Sequence, residues 1–188
     1  MNAGTETATD LRVEAPPFDF EAVFHAHYER IARVIVRVVK DPARAEELAV
    51  EVFWKLWRTP NAQGPSTRGW LYRAAVRVGL DELRKQSRRE KYERLFGFSR
   101  RVANPEELQA ASEQQHQVRT VIAALARREA EMLLLRSDGL SYQDIAQSLE
   151  LNPSSVGTLL SRAQEAFRKE YTRRYGKRGN HEHGYLGG

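Results

Sequence analysis

The sequence predicts an all-α protein built from two helical domains, and three observations carry that expectation. No segment of the 188 residues keeps an alternating apolar–polar pattern, which removes half-buried strands. Apolar residues instead return at i, i+3, i+4 and i+7 in several windows, the spacing of one buried helix face. Those windows open on helix-start pairs such as Asp41-Pro42 and Asn152-Pro153.

Residues 1–17 are polar, end in Pro16-Pro17 and read as a disordered leader. A first helix is expected from about Phe18 to Val39, where Phe20, Val23, Phe24, His27, Ile31, Val34, Ile35 and Val38 share one face. Asp41 caps a second helix with Pro42 in its first turn, and its stripe is Ala45, Leu48, Ala49, Val52, Phe53 and Leu56. It stops before Pro60. After the loop 61–65, Ser66 or Thr67 starts a third helix that is basic along one side.

On that third helix Arg73, Arg77, Arg84 and Arg88 fall within roughly 60° of one another, with Trp70 at the edge of the arc. Leu71, Tyr72, Ala75, Val76, Val78 and Leu83 take the other side. Residues 67–101 hold eleven Arg and Lys against Asp81, Glu82, Glu90 and Glu93, a surplus larger than the whole chain's +5. A solvated basic face is the plainer interpretation of such a stripe. Cations beside an indole also suit a phosphate backbone with unstacked bases.

Periodicity lapses from Lys91 to about Asn104, so residues 93–108 are expected to link a domain at 18–92 to a second at 109–172. Glu106 opens a further series through Val118, Val121, Ile122 and Leu125. A short helix over Glu129 to Arg136 should stop at Asp138-Gly139. Ser141-Tyr142-Gln143-Asp144 resembles a capping box and starts a helix that buries Ile145, Ala146 and Leu149. Asn152-Pro153 starts the last, which buries Val156, Leu160, Ala163 and Phe167 and offers Ser154, Thr158, Ser161 and Glu165 outward. Two short helices with a polar outer face on the second have the spacing of a helix-turn-helix. A plain three-helix bundle shares the pattern. Residues 173–188 read as a flexible basic tail.

Several chemistries are excluded. With no cysteine there are no disulfides, thiol nucleophiles or cysteine-ligated zinc. No apolar run is long enough to insert in a membrane, and the cytoplasm is the default location. His25 and His27 point to different sides of a helix, and His181 and His183 sit in the tail, so no metal site is expected. No phosphate loop, nucleophile elbow or His-Glu-x-x-His is present. Catalytic residues, cofactors and a small-molecule substrate are not expected. A pI near 9.6 with its charge in one segment points to a polyanion.

Phe20-Glu21-Ala22-Val23-Phe24, Asp41-Pro42 with Ala45-Glu46-Glu47-Leu48, Glu51-Val52-Phe53, Leu56-Trp57, Trp70-Leu71-Tyr72-Arg73 and Asp81-Glu82-Leu83-Arg84 stand in the order of region 2 of a bacterial RNA polymerase sigma factor. Leu133-Leu134-Leu135-Arg136, Gly139-Leu140-Ser141-Tyr142, Ile145-Ala146 and Val156 through Leu160-Ser161-Arg162-Ala163 resemble region 4. Over roughly residues 18–172 the chain resembles the extracytoplasmic-function (ECF) subgroup of alternative sigma factors. The resemblance implies that Glu46, Glu47, Glu51, Lys55 and Trp57 dock on core RNA polymerase. It implies that Trp70, Tyr72, Arg73, Arg77, Arg84, Lys85 and Arg88 engage the minus-ten element of promoter DNA. Ser141, Tyr142, Ser154, Ser155, Thr158, Ser161 and Arg162 would read the minus-thirty-five element. An anti-sigma factor is the implied regulatory partner.

The chain departs from the family at three places. It has Glu47-Leu48-Ala49-Val50 where the family usually has Asp-Leu-x-Gln, and Arg77 where Asn is frequent. Its last helix has Gly157 and Leu159 where Lys and Arg are frequent, which weakens electrostatic anchoring in the groove. Two other classes of function fit the same pattern. One is a helix-turn-helix transcriptional regulator that works without polymerase; the other is a sigma-like decoy for a regulator.

Overall fold

The computed structural model describes residues 18–96 and 106–176. The leader expected over 1–17, most of the expected linker, and the part of the tail from 177 on, with His181 and His183, lie outside the described residues. Among the described residues seven α-helices follow in order: α1 Phe20–Val39, α2 Pro42–Trp57, α3 Thr67–Leu95, α4 Glu106–Ala124, α5 Arg127–Ser137, α6 Tyr142–Leu149 and α7 Pro153–Tyr175. Among the described residues there is no strand.

The helix starts are chemical. Asp19 accepts a hydrogen bond from the Ala22 N–H at 2.9 Å, and Asp41 accepts from Arg44 N–H at 3.1 Å, each satisfying a donor that the helix leaves open. Ser141 Oγ accepts from Asp144 N–H at 3.1 Å while Asp144 Oδ2 accepts from Ser141 N–H at 3.2 Å, so the expected capping box is present with Asp in the fourth place. Asn152 accepts from Ser154 N–H at 3.0 Å, with Pro153 in the first turn. Gly139, between α5 and α6, holds φ +86°, a left-handed turn that a side chain would strain.

Two helices run further than expected. α3 continues to Leu95, where Arg89 and Glu93 pair at 2.8 Å; charged neighbours one turn apart support a helix that has no apolar stripe to announce it. α7 continues to Tyr175 through the place where the tail was expected, held by Arg173 and Arg174 on Glu170 and by the rings of Phe167, Tyr171 and Tyr175.

α1, α2 and α3 close around Ile31, Ile35, Leu48, Val52, Phe53, Leu56, Leu71 and Val76. Phe20, Phe24 and Tyr28 ring Phe53, with Phe24 at 4.9 Å centroid to centroid. Burying a side chain of that size stabilises by about 1.5–3 kcal/mol. The second group is α5, α6 and α7 around Met132, Leu135, Leu140, Ile145, Val156 and Leu160. These two sets form one continuous apolar cluster, because α3 packs against both α5 and α6. A smaller cluster joins Val38, Leu80 and Leu83 to Ile122, Leu125 and Ala130, so α4 and α5 also lie on the first domain.

Candidate nucleic-acid interface

The basic helix α3 is placed by its apolar side. Leu71, Ala75, Val76 and Leu80 are buried, which turns Arg68, Arg73, Arg77 and Arg84 towards the second domain, with about half of the Arg68 and Arg77 side chains (50% and 47%) still open to solvent. Arg77 Nε donates to Glu131 Oε1 at 2.9 Å, and that carboxylate's side chain is only 4% exposed. Arg73 donates to Glu150, whose carboxyl is lowered by that hydrogen bond and by the guanidinium's charge. Arg84 donates to two carbonyls at the end of α4, Ala123 O at 3.2 Å and Leu125 O at 2.8 Å. Lys85 and Arg88 are exposed.

Tyr72 is not on the cationic face. It is 2% exposed, inside the apolar cluster, because position 72 falls on the arc of Ala75, Val76 and Leu83. Burial pushes its hydroxyl pKa up. Trp70 is half-buried against the same cluster.

On α7 the outward residues stand as expected. Ser154, Ser155, Thr158, Ser161 and Arg162 are all exposed, and Ser154, Ser155, Thr158 and Arg162 line a shallow concavity with Arg128 of α5. Arg128 was not among the expected contacts; it comes from a different helix, and spacing along α7 could not reveal it. Tyr142 is exposed, with the Arg136 guanidinium over its ring at 5.5 Å. The Ser141 hydroxyl is committed to Asp144 at 2.7 Å, and that bond holds the Asp144 carboxyl below its ordinary range.

α2 offers a third surface. Glu46, Glu47, Glu51, Lys55 and Trp57 are exposed, and so are Val50 and Trp54. Val50, Trp54 and Trp57 follow at i, i+4 and i+7, an apolar strip on the outside of a helix whose other stripe is already buried. Arg44 donates to Glu47 at 2.7 Å and to Glu82 at 3.1 Å, so the acidic group beside the strip is tied to α3.

The chain thus carries a helix-turn-helix with an open polar face, a long basic helix and an exposed apolar strip. Residues 23–89 match the family Sigma-70 region 2, and residues 115–166 match Sigma-70, region 4. The RNA polymerase sigma-H factor of Pseudomonas aeruginosa is 30% identical over 163 residues, covering 80% of this chain and 84% of that protein. The ECF RNA polymerase sigma-E factor of Escherichia coli K12 is 28% identical over 161 residues, covering 78% and 83%. A solved chain, the sigma factor RpoE in complex with the anti-sigma factor NepR from Bartonella quintana, aligns with 81% of this chain and 96% of its own at 17% identity and a TM-score of 0.47. The chain belongs to the sigma-70 family of RNA polymerase sigma factors, in its ECF group.

Proposed function

We propose that this chain binds core RNA polymerase and directs it to promoters, α3 taking the minus-ten element and its melted strand and α7 reading the minus-thirty-five element as duplex. Melted DNA needs cations and stacking surfaces, and α3 supplies Arg73, Arg77, Arg84, Lys85, Arg88 and the indole of Trp70. Duplex DNA needs a helix that fills the major groove with hydrogen-bonding side chains, which α7 supplies. In this reading the site of action is the cytoplasm, and an anti-sigma factor regulates the chain.

The observation that carries the reading is the α2 strip of Val50, Trp54 and Trp57 beside Glu46, Glu47 and Glu51. Such a strip marks a protein–protein contact rather than a DNA contact, and a subunit that docks on polymerase requires one. Run-off transcription with core polymerase on a promoter library is the test. Transcripts from a defined subset of promoters, dependent on this chain, are expected. Tight, sequence-specific binding to DNA without polymerase, and no dependent transcript, would make it an independent helix-turn-helix regulator instead.

A further inference from the structure

Three cations gather at the carboxyl end of α1. Arg37 and Lys40 stand there, and Arg119 reaches in from α4. Arg37 is paired with Asp138. Arg119 is bonded only to neutral acceptors, Val39 O at 3.1 Å and Gln86 Oε1 at 2.8 Å, and its Nε is buried without a partner among the described residues. Burial pushes the pKa of this guanidinium down, and the charge of Glu90 offsets that only in part. The carbonyl end of a helix supplies about half a negative charge, less than these cations carry between them. A half-buried guanidinium without a counter-ion is a seat for an anion.

The floor beside that seat is apolar. Val38, Leu83, Val118, Ile122 and Leu134 line a hollow of about 420 Å³ next to the cations. It runs into a second hollow of about 470 Å³ that adds Leu133 and Phe167, and the two share Val118, Ile122 and Leu134. No carboxylate lines either one. Hollows of this size, mostly apolar with a few convergent polar groups, are the form of small-molecule sites. A nucleic-acid strand does not fit the description, because it brings a phosphate at every step and needs a row of cations rather than a cluster at one end.

We infer that this trough is a binding site for a small anionic amphiphile, a medium-chain carboxylate whose head group sits between Lys40 and Arg119 while its chain lies over Val118, Ile122 and Leu134 towards Phe167. Its walls come from α1, α3, α4, α5 and α7, so one ligand touches both domains. The site is separate from the outward face of α7 and from the α2 strip, and it stands whether or not this chain reads promoters.

The full chain is titrated with octanoate, decanoate and dodecanoate as monomers, followed by calorimetry and by thermal unfolding. A single site is expected, with affinity rising about fourfold for each added methylene. The unfolding midpoint should rise with ligand concentration, because the ligand binds the folded chain alone. Decyltrimethylammonium, with a chain of the same length and the opposite charge, should bind at least about tenfold more weakly than decanoate. Lys40→Gln removes an exposed cation from the seat, and Val118→Asp sets a charge on the shared floor at a residue that is 38% exposed. Both variants should melt near the parent without ligand; the first should bind decanoate several-fold more weakly and the second should not bind it. No binding of any carboxylate, or decanoate affinity unchanged in both variants, overturns the inference. Equal affinity for decyltrimethylammonium overturns it as well, and would make the trough an apolar groove for a protein partner.

Discussion

Arg84 closes the carboxyl end of α4: its guanidinium donates to Leu125 O at 2.8 Å across the boundary between the two domains. Arg119 of α4 answers it by donating to Val39 O at 3.1 Å and to Gln86 at 2.8 Å. Each arginine satisfies backbone carbonyls that a helix end leaves without partners.

Replacing Arg84 therefore has two effects that must be separated. Arg84→Ala strands two part-buried carbonyls and should destabilise the chain by about 1–3 kcal/mol, visible as a lower midpoint in thermal unfolding. Lys85 and Arg88 are exposed and are the cleaner probes of DNA contact. Lys85→Ala and Arg88→Ala should each flatten the salt dependence of open-complex formation by about 0.7–0.9 in log–log slope, with the melting midpoint unchanged. An unchanged slope would make them ordinary surface cations.

Trp54 and Trp57 are 53% and 62% exposed, so truncating them should leave stability within about 0.5 kcal/mol of the parent. If they anchor the polymerase, Trp54→Ala with Trp57→Ala should weaken core binding by about thirtyfold, the scale of a buried aromatic anchor. Charge reversal at Glu47 and Glu51 should weaken it further, because Arg44 loses its partners on that face. Full retention of both variants in a pull-down with core enzyme would remove α2 from the docking surface.

Arg162 separates base from backbone contact. If it forks onto a guanine, Arg162→Ala should relax preference at one base pair by about 1–3 kcal/mol. If it grips a phosphate, all sequences should weaken alike. Parallel promoter selection with the two proteins decides between them, and no change in either quantity would take this part of α7 off the DNA.

Near the end of α7, hydrogen bonds from Arg173 and Arg174 lower the Glu170 carboxyl from 4.5 to about 2. A depressed carboxylate contributes stability that is present above its ordinary value and is lost as pH falls from 4.5 towards about 2. Carboxyl-detected NMR should show Glu170 titrating near 2, and Arg173→Ala with Arg174→Ala should return it close to 4.5. Titration near 4.5 in the parent would mean that the two pairs do not form in solution.

The ends of the helices were written in single residues. Asp41-Pro42, the Ser141–Asp144 box and Asn152-Pro153 start α2, α6 and α7 where the sequence places them, because a cap is a contact between positions two or three apart. The extensions of α3 to Leu95 and of α7 to Tyr175 were not legible from apolar periodicity. They rest on charged and aromatic pairs along an exposed helix, which the search for a buried stripe does not weigh. The outward face of α7 was readable for the opposite reason, since Val156, Leu160 and Ala163 fix which side is buried.

The sequence by itself determined the all-helical class, the order of the two regions, the caps and the surplus of cations on one arc of α3. Only the tertiary structure decided what faces that arc. Arg77 meets Glu131 across 54 positions and Arg73 meets Glu150 across 77, and no local period connects residues so far apart. Helix periodicity says which side of α3 avoids water; the packing of α5 and α6 onto α3, permitted by Gly69, says which of its cations remain open to solvent.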